Sequence, residues 1–165
     1  MPEASVGVIG GSGLYDMEAL ADIELLDIDT PFGRPSDAIT VGTLAGVRVA
    51  FLPRHGKGHR VSPSELPSQA NVWAMKAMGV THLLSFSAVG SLREELAPRD
   101  VVIPDQILDR TKGVRPATFF GDGMVVHISF AEPYCPELRR VMVEAAVEAG
   151  ATVHDGGTMV VMEGP

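Results

Sequence analysis

Short apolar runs and glycine-rich turns alternate along this chain, and the spacing of the apolar positions switches between two and between three and four. That switching predicts strands interleaved with helices, an α/β class. Val6-Gly7-Val8-Ile9 predicts a short buried strand, broken at once by Gly10-Gly11-Ser12-Gly13. Residues 23–35 follow neither period and read as irregular, with Thr30-Pro31-Phe32-Gly33-Arg34-Pro35 as a turn-rich crossover. Residues 38–44 and 47–52, separated by Ala45-Gly46, predict a hairpin. Between Pro67 and Met78 the positions Ala70, Trp73, Ala74 and Ala77 recur at helical spacing, and Gly79 is placed to cap that helix. Residues 81–86 return to strand character and lead into a small-residue turn, Ser87-Ala88-Val89-Gly90-Ser91-Leu92. Residues 101–103 predict another strand, ended by Pro104, and residues 105–122 a long polar and aromatic connection. A helix is expected from Glu137 to Ala149, with Leu138, Val141, Met142, Ala145 and Ala146 inward and Gly150 closing it. Residues 158–162 predict a last buried strand.

With 165 residues, 45% of them hydrophobic, the chain fits one domain, residues 1–165, able to bury roughly two thirds of its unfolded surface. A net charge of −8 gives no broad basic face, so a nucleic-acid partner is not expected. No apolar stretch approaches the length that spans a bilayer, so no membrane partner is expected either. The single cysteine, Cys135, cannot form an internal disulfide, and the N-terminus lacks the pattern of a secretory leader. Both features predict a reducing cytoplasm.

Against this acidic background one stretch stands apart. Pro53-Arg54-His55-Gly56-Lys57-Gly58-His59-Arg60 places three permanent cations and two histidines at the end of the strand 47–52, where open α/β sheets bind their ligands. It reads either as a site for a small anion or as a solvated loop. Gly10-Gly11-Ser12-Gly13 reads equally as an oxyanion loop or a tight turn. Its glycine spacing is not the dinucleotide fingerprint, which disfavours a nicotinamide cofactor. His55 and His59 lie four apart, but the glycines beside them argue against a helix and no carboxylate is near in sequence, so no metal is expected. Cys135 is expected to be a buried, inert thiol, and His82 and His154 core or surface residues. His127 alternates with apolar neighbours and fits a strand residue facing solvent or a partner. No protein nucleophile is evident. Several oxyanion-binding turns without one suit a reaction in which bound phosphate is itself the nucleophile, with Arg54 as a planar fork of donors, His55 as a further donor, and the Ser12 and Ser87 hydroxyls as neutral contacts.

Seven segments in order extend this pattern: 8–13, 29–37, Arg54-His55-Gly56, Gln69-Ala70-Asn71-Val72-Trp73-Ala74, Ser87-Ala88-Val89-Gly90-Ser91-Leu92, Asp105-Gln106 with Asp109-Arg110-Thr111, and 131–136. Together they resemble the 5′-methylthioadenosine phosphorylase branch of the purine nucleoside phosphorylases. The resemblance implies a three-layer α/β/α fold with a mixed central sheet. It implies phosphorolysis of a purine nucleoside, first of all 5′-methylthioadenosine, with S-methyl-5′-thioinosine or a 6-oxopurine nucleoside as alternatives. Inorganic phosphate is then a co-substrate and no cofactor is needed. By the same resemblance Ser12, Arg54, His55, Ser87 and Ala88 match phosphate contacts. His127 matches a position that reaches a neighbouring subunit's nucleoside site, which implies a homotrimer or a dimer of trimers. The family's base-pocket and ribose segments lie beyond Glu163-Gly164-Pro165, so its catalytic acid or base is not identified here and the fold is expected to be incomplete at the C-terminus. A non-catalytic phosphate- or nucleotide-binding module, and a structural subunit that binds neither ligand, are the remaining alternatives.

Overall fold

The computed structural model describes residues 3–11, 18–113 and 115–163. These belong to two compact units, residues 1–88 with 114–119, and residues 89–113 with 120–165, and each is taken by itself.

The first unit is built on a five-stranded sheet of order β2-β3-β4-β1-β5. Its strands are β1 (Val6–Gly10), β2 (Ala21–Leu26), β3 (Ile39–Leu44), β4 (Val47–Pro53) and β5 (His82–Ser85). The sheet is mixed: β1 runs parallel to both β4 and β5, while β2, β3 and β4 are successively antiparallel. The predicted hairpin is present. Ala45 and Gly46 turn it with φ of 49° and 80°, the two positive values that match the twist of the flanking strands.

Residues alternate faces along these strands as a period of two requires. Ile9, Ile39, Val41, Ala50 and Leu52 fall on one face, where Ala74, Met75 and Met78 of α1 (Ser68–Ala77, with Met78 as its C-cap) pack on them. Val8, Val49 and Phe51 fall on the other face with Leu20. A ten-residue helix is marginal alone, so α1 is held chiefly by this burial, which contributes ~1.5–3 kcal/mol per large side chain. Its packed face is Ala70, Asn71, Ala74, Met75 and Met78, leaving the expected Trp73 and Ala77 half-buried on the flank. Gly79 ends the helix as predicted. At φ 85° its N–H donates to Lys76 O, while the Val80 N–H reaches Met75 O.

The irregular reading of residues 23–35 is corrected in part, because β2 occupies residues 21–26. It is an edge strand whose Ile23 and Leu25 face solvent, so it lacks the apolar alternation by which buried strands are found. A register shift between Ala21 and Glu24 and the positive φ of Asp22 blur the period further.

The second unit carries two parallel two-stranded ladders, β6 (Val101–Ile103) with β8 (Val153–Asp155), and β7 (Gln106–Asp109) with β9 (Thr158–Val161). The long connection expected over 105–122 therefore contains a strand, β7, and the last strand is only half-buried, with Val160 exposed. α2 (Pro136–Glu148) appears where predicted, but none of its residues is buried, and Val141 and Ala145 are exposed. Arg139 ties α2 to the ladder by donating from Nε to Pro104 O (2.9 Å) and pairing with Asp155. His154 on β8 reaches Asp100 through Nε2 at 2.7 Å, and that bond is the first cause holding the Asp100 carboxyl below its ordinary range. Cys135, expected to be buried, is exposed at the N-cap of α2, because Pro136 opens the helix and turns the preceding residue outward. Residues 122–132, including His127, form no strand and are exposed. Among the described residues no helix is long and apolar enough to cross a membrane.

Candidate functional site

Because β1 lies between β4 and β5 and runs parallel to both, the chain leaves all three strands at the same rim of the sheet. Gly10 stands opposite Pro53, and Ile9 opposite Ser85. The ladder continues one step past each strand: the Arg54 N–H donates to Gly10 O at 2.8 Å, and the Phe86 N–H to Ile9 O at 2.9 Å. Two neighbour spacings put the ends of β4 and β5 about 10 Å apart, with the end of β1 between them. Arg54, His55, Ser87 and Ala88 are thus brought to one rim. Ser12, the remaining expected contact of that rim, lies outside the described residues. His127 belongs to the second unit and is exposed there.

The loop after β4 is tightly built. Gly56 donates to Pro53 O (2.9 Å), His59 to Gly56 O (3.1 Å), and Val61 to His55 O (2.9 Å). Gly56, Gly58 and His59 all have positive φ (71°, 81° and 59°), which curls residues 54–60 into a compact loop. Gly56 is buried, and a Cβ there would sit 2.9 Å from Arg60 Nε and 3.1 Å from Ser36 O. A side chain at this position would push the loop off its support.

Within the loop Arg54 and His55 are half-buried. Arg54 Nε lies 3.3 Å from His55 Nε2, and His55 Nδ1 lies 2.9 Å from Val61 O. An arginine can only donate, so Nε2 accepts; the ring proton is then on Nδ1, which donates to the carbonyl. In this arrangement the ring orients Arg54, and the further donor expected from His55 is already engaged. Arg60 pairs with Asp37 at 2.9 Å, whereas Arg54 makes no ion pair among the described residues. Arg54 thus has charge to offer an anion, as does the exposed Lys57 side chain in the same loop, which likewise makes no ion pair among the described residues. Residues 86–88 add exposed backbone and the Ser87 hydroxyl to the same rim, one strand over.

The rings of His55 and His59 stack with centroids 4.7 Å apart and planes 16° apart. Among the described residues no three His, Cys, Asp or Glu side chains gather as a metal ion would need.

Sequence reading missed the residues that hold the loop. Ser36 Oγ donates to Pro53 O (2.9 Å), the Ser36 N–H donates to Asn71 Oδ1 (2.8 Å), and the Lys57 N–H donates to Asp37 Oδ2 (2.6 Å). These partners lie 17 to 35 residues apart, so no local periodicity marks them. The only signal was their presence in the segments 29–37 and 69–74 that carried the resemblance.

The chain is similar to known proteins over its whole length. The sequence pattern described as the phosphorylase superfamily matches residues 5–165. The chain is 61% identical over 165 residues to a protein of Chloroflexus aurantiacus named S-methyl-5′-thioadenosine phosphorylase, covering 100% of the chain and 57% of that relative. It is 63% identical over 168 residues to a protein of the same name from Gloeobacter violaceus, covering 99% and 56%. Among solved structures, a methylthioadenosine phosphorylase from an antarctic soil metagenomic library superposes with a TM-score of 0.97 at 50% identity, covering 100% of the chain and 58% of that structure. The methylthioadenosine phosphorylase of Schistosoma mansoni in complex with adenine superposes with a TM-score of 0.90 at 38% identity, covering 99% and 66%. The chain thus spans little more than half the length of the curated relatives it matches. The expected α/β class with a mixed central sheet holds, and the fold is that of these nucleoside phosphorylases. With the family's pattern matched from residue 5 to residue 165, this chain belongs to the phosphorylase superfamily.

Proposed function

We propose that this chain carries the phosphate-binding part of an enzyme that phosphorolyses a purine nucleoside, 5′-methylthioadenosine before others. The observation that carries this reading is that Arg54 and Ser87 leave strand ends at one rim of the sheet, on either side of β1, with the Arg54 guanidinium free of an ion pair among the described residues. The names borne by the relatives, S-methyl-5′-thioadenosine phosphorylase, supply the substrate.

In this reading a phosphate oxygen attacks the anomeric carbon as the bond from that carbon to the purine nitrogen breaks. The electron pair leaves with the base, which takes up a proton, and the products are adenine and 5-methylthioribose 1-phosphate. The transition state is cationic at the sugar and lies between two anionic groups, so the protein's task is to position phosphate and balance its charge. Arg54 supplies the charge, Ser12, Ser87 and the Ala88 backbone the neutral donors, and His55 keeps Arg54 in place. Phosphate is a co-substrate, and no cofactor enters the balance.

His127 reaches a neighbouring subunit's nucleoside in a homotrimer or dimer of trimers. The exposed apolar side chains Met124, Val125, Ile128 and Phe130 around it support an assembly of this kind. The free Cys135 supports a reducing cytoplasm.

The test is release of free base by the intact protein with and without phosphate. Phosphate-dependent release of adenine from 5′-methylthioadenosine is expected. Release from S-methyl-5′-thioinosine alone would move the substrate to the 6-oxopurines. No release from either at saturating phosphate would reject the enzyme, and calorimetry that then found phosphate binding alone would leave a binding module.

A further inference from the structure

The loop that carries Arg54 is rich in cations, yet a carboxylate is built into its base. The Asp37 side chain is only 18% exposed, and its oxygens are fully engaged. Oδ1 accepts the Ala38 N–H at 2.9 Å, while Oδ2 accepts the Lys57 N–H at 2.6 Å and pairs with Arg60 Nη2 at 2.9 Å. A negative charge beside an anion site opposes the anion, so this position would favour a neutral residue if charge alone mattered. Two facts remove the conflict. Arg60 offsets the charge, and the short bond to the Lys57 amide fixes the backbone at the apex of the loop.

The residue before it completes the hold. Ser36 binds Pro53 O through its hydroxyl and is itself fixed by Asn71 of α1, and both bonds are buried. Residues 36 and 37 therefore grip the loop at its start and at its apex, while β1 grips it at Arg54. With Asp37 removed, Lys57 N–H loses its acceptor, and the curl that sets Arg54 and His55 is held at one end only.

We propose that Asp37 is a positioning residue for the phosphate loop, acting through the Lys57 amide, with Arg60 serving to neutralise it; the link to phosphate rests on the function proposed above. The Asp37 carboxylate is engaged by the loop's own groups, the Ala38 and Lys57 amides and Arg60. Its loss acts on phosphate selectively, because the loop it fixes carries the phosphate cation.

Steady-state kinetics of the intact protein test this with Asp37→Ala, Asp37→Asn and Arg60→Gln. The phosphate KM of Asp37→Ala should rise about tenfold, as for loss of one charge-assisted hydrogen bond, with the nucleoside KM within about twofold of wild type. Asp37→Asn, which keeps an oxygen for Lys57, should fall between, and Arg60→Gln should change the phosphate KM by less than about threefold. An unchanged phosphate KM in Asp37→Ala, or an equal rise of both KM values, overturns the proposal. Should Asp37→Ala not fold, a larger phosphate defect in Arg60→Gln than in Asp37→Asn overturns it instead. Hydrogen exchange at the Lys57 amide separates this idea from the functional reading. If wild-type turnover proves independent of phosphate, the function falls. Faster Lys57 exchange in Asp37→Ala then upholds the positioning role, and unchanged exchange overturns it.

Discussion

Arg54 and Arg60 sit six residues apart in one loop, and their partners separate their duties: Arg60 is spent on Asp37, whereas Arg54, among the described residues, meets the His55 ring and no carboxylate. Replacing Arg54 with alanine should therefore raise the phosphate requirement sharply, by ~2–4 kcal/mol in transition-state terms for loss of a desolvated charged contact. Phosphate KM and kcat/KM measured at fixed nucleoside check this, and an unchanged phosphate dependence would remove Arg54 from the site. The His55 tautomer is testable by nitrogen NMR of the ring. The expected result is the tautomer with the proton on Nδ1 and none on Nε2, and the reverse tautomer would break the link between His55 and Arg54. Asp100 offers a further check away from the rim. Its carboxyl is held low mainly by His154, so its contribution to stability is present above the ordinary carboxylate range and is lost as pH falls through the lowered value. Urea melts of wild type and Asp100→Asn should differ at neutral pH and converge in acid.

Burial made several elements legible in the sequence, while α2, with no buried residue, was found by its apolar spacing and closing glycine. β1, the β3–β4 hairpin and α1 were found because their apolar positions face one core, and both helices were closed correctly by Gly79 and Gly150. β2, β7 and β8 were missed. The exposed Ile23, Leu25 and Leu108, and the charged or polar Asp155 and His154, give no alternation to read. The supports of the candidate site, Ser36, Asp37 and Asn71, escaped for a different reason: their partners are distant in sequence, and a buried hydrogen bond leaves no trace in composition. Gly7 is a point where packing rather than conformation demands glycine. A Cβ there would lie 2.9 Å from Val80 Cγ1 and 3.1 Å from both Leu83 Cδ1 and Met75 Sδ, between β1 and α1. Gly7→Ala should cost ~1–3 kcal/mol through overpacking, read as a lower denaturation midpoint at unchanged m-value.

For the molecule as a whole, the apolar side chains left in solvent matter most. Val125 and Ile128 are 78% and 77% exposed, within a segment that has no regular structure of its own. If that segment is an assembly face, light scattering on the intact protein should give the mass of a trimer or a multiple of it. Ile128→Asp should lower that mass while leaving the far-ultraviolet circular dichroism unchanged. A wild-type monomer would remove the part assigned to His127. The parallel strands also give the first unit a chemical polarity. Every loop assigned to phosphate leaves one end of the sheet, and the exposed Ala45-Gly46 bend lies at the other, roughly 25 Å along β4 from Arg54. That bend is a blind end, where a fluorophore or affinity peptide can be spliced in and the protein watched or immobilised while its working edge stays open.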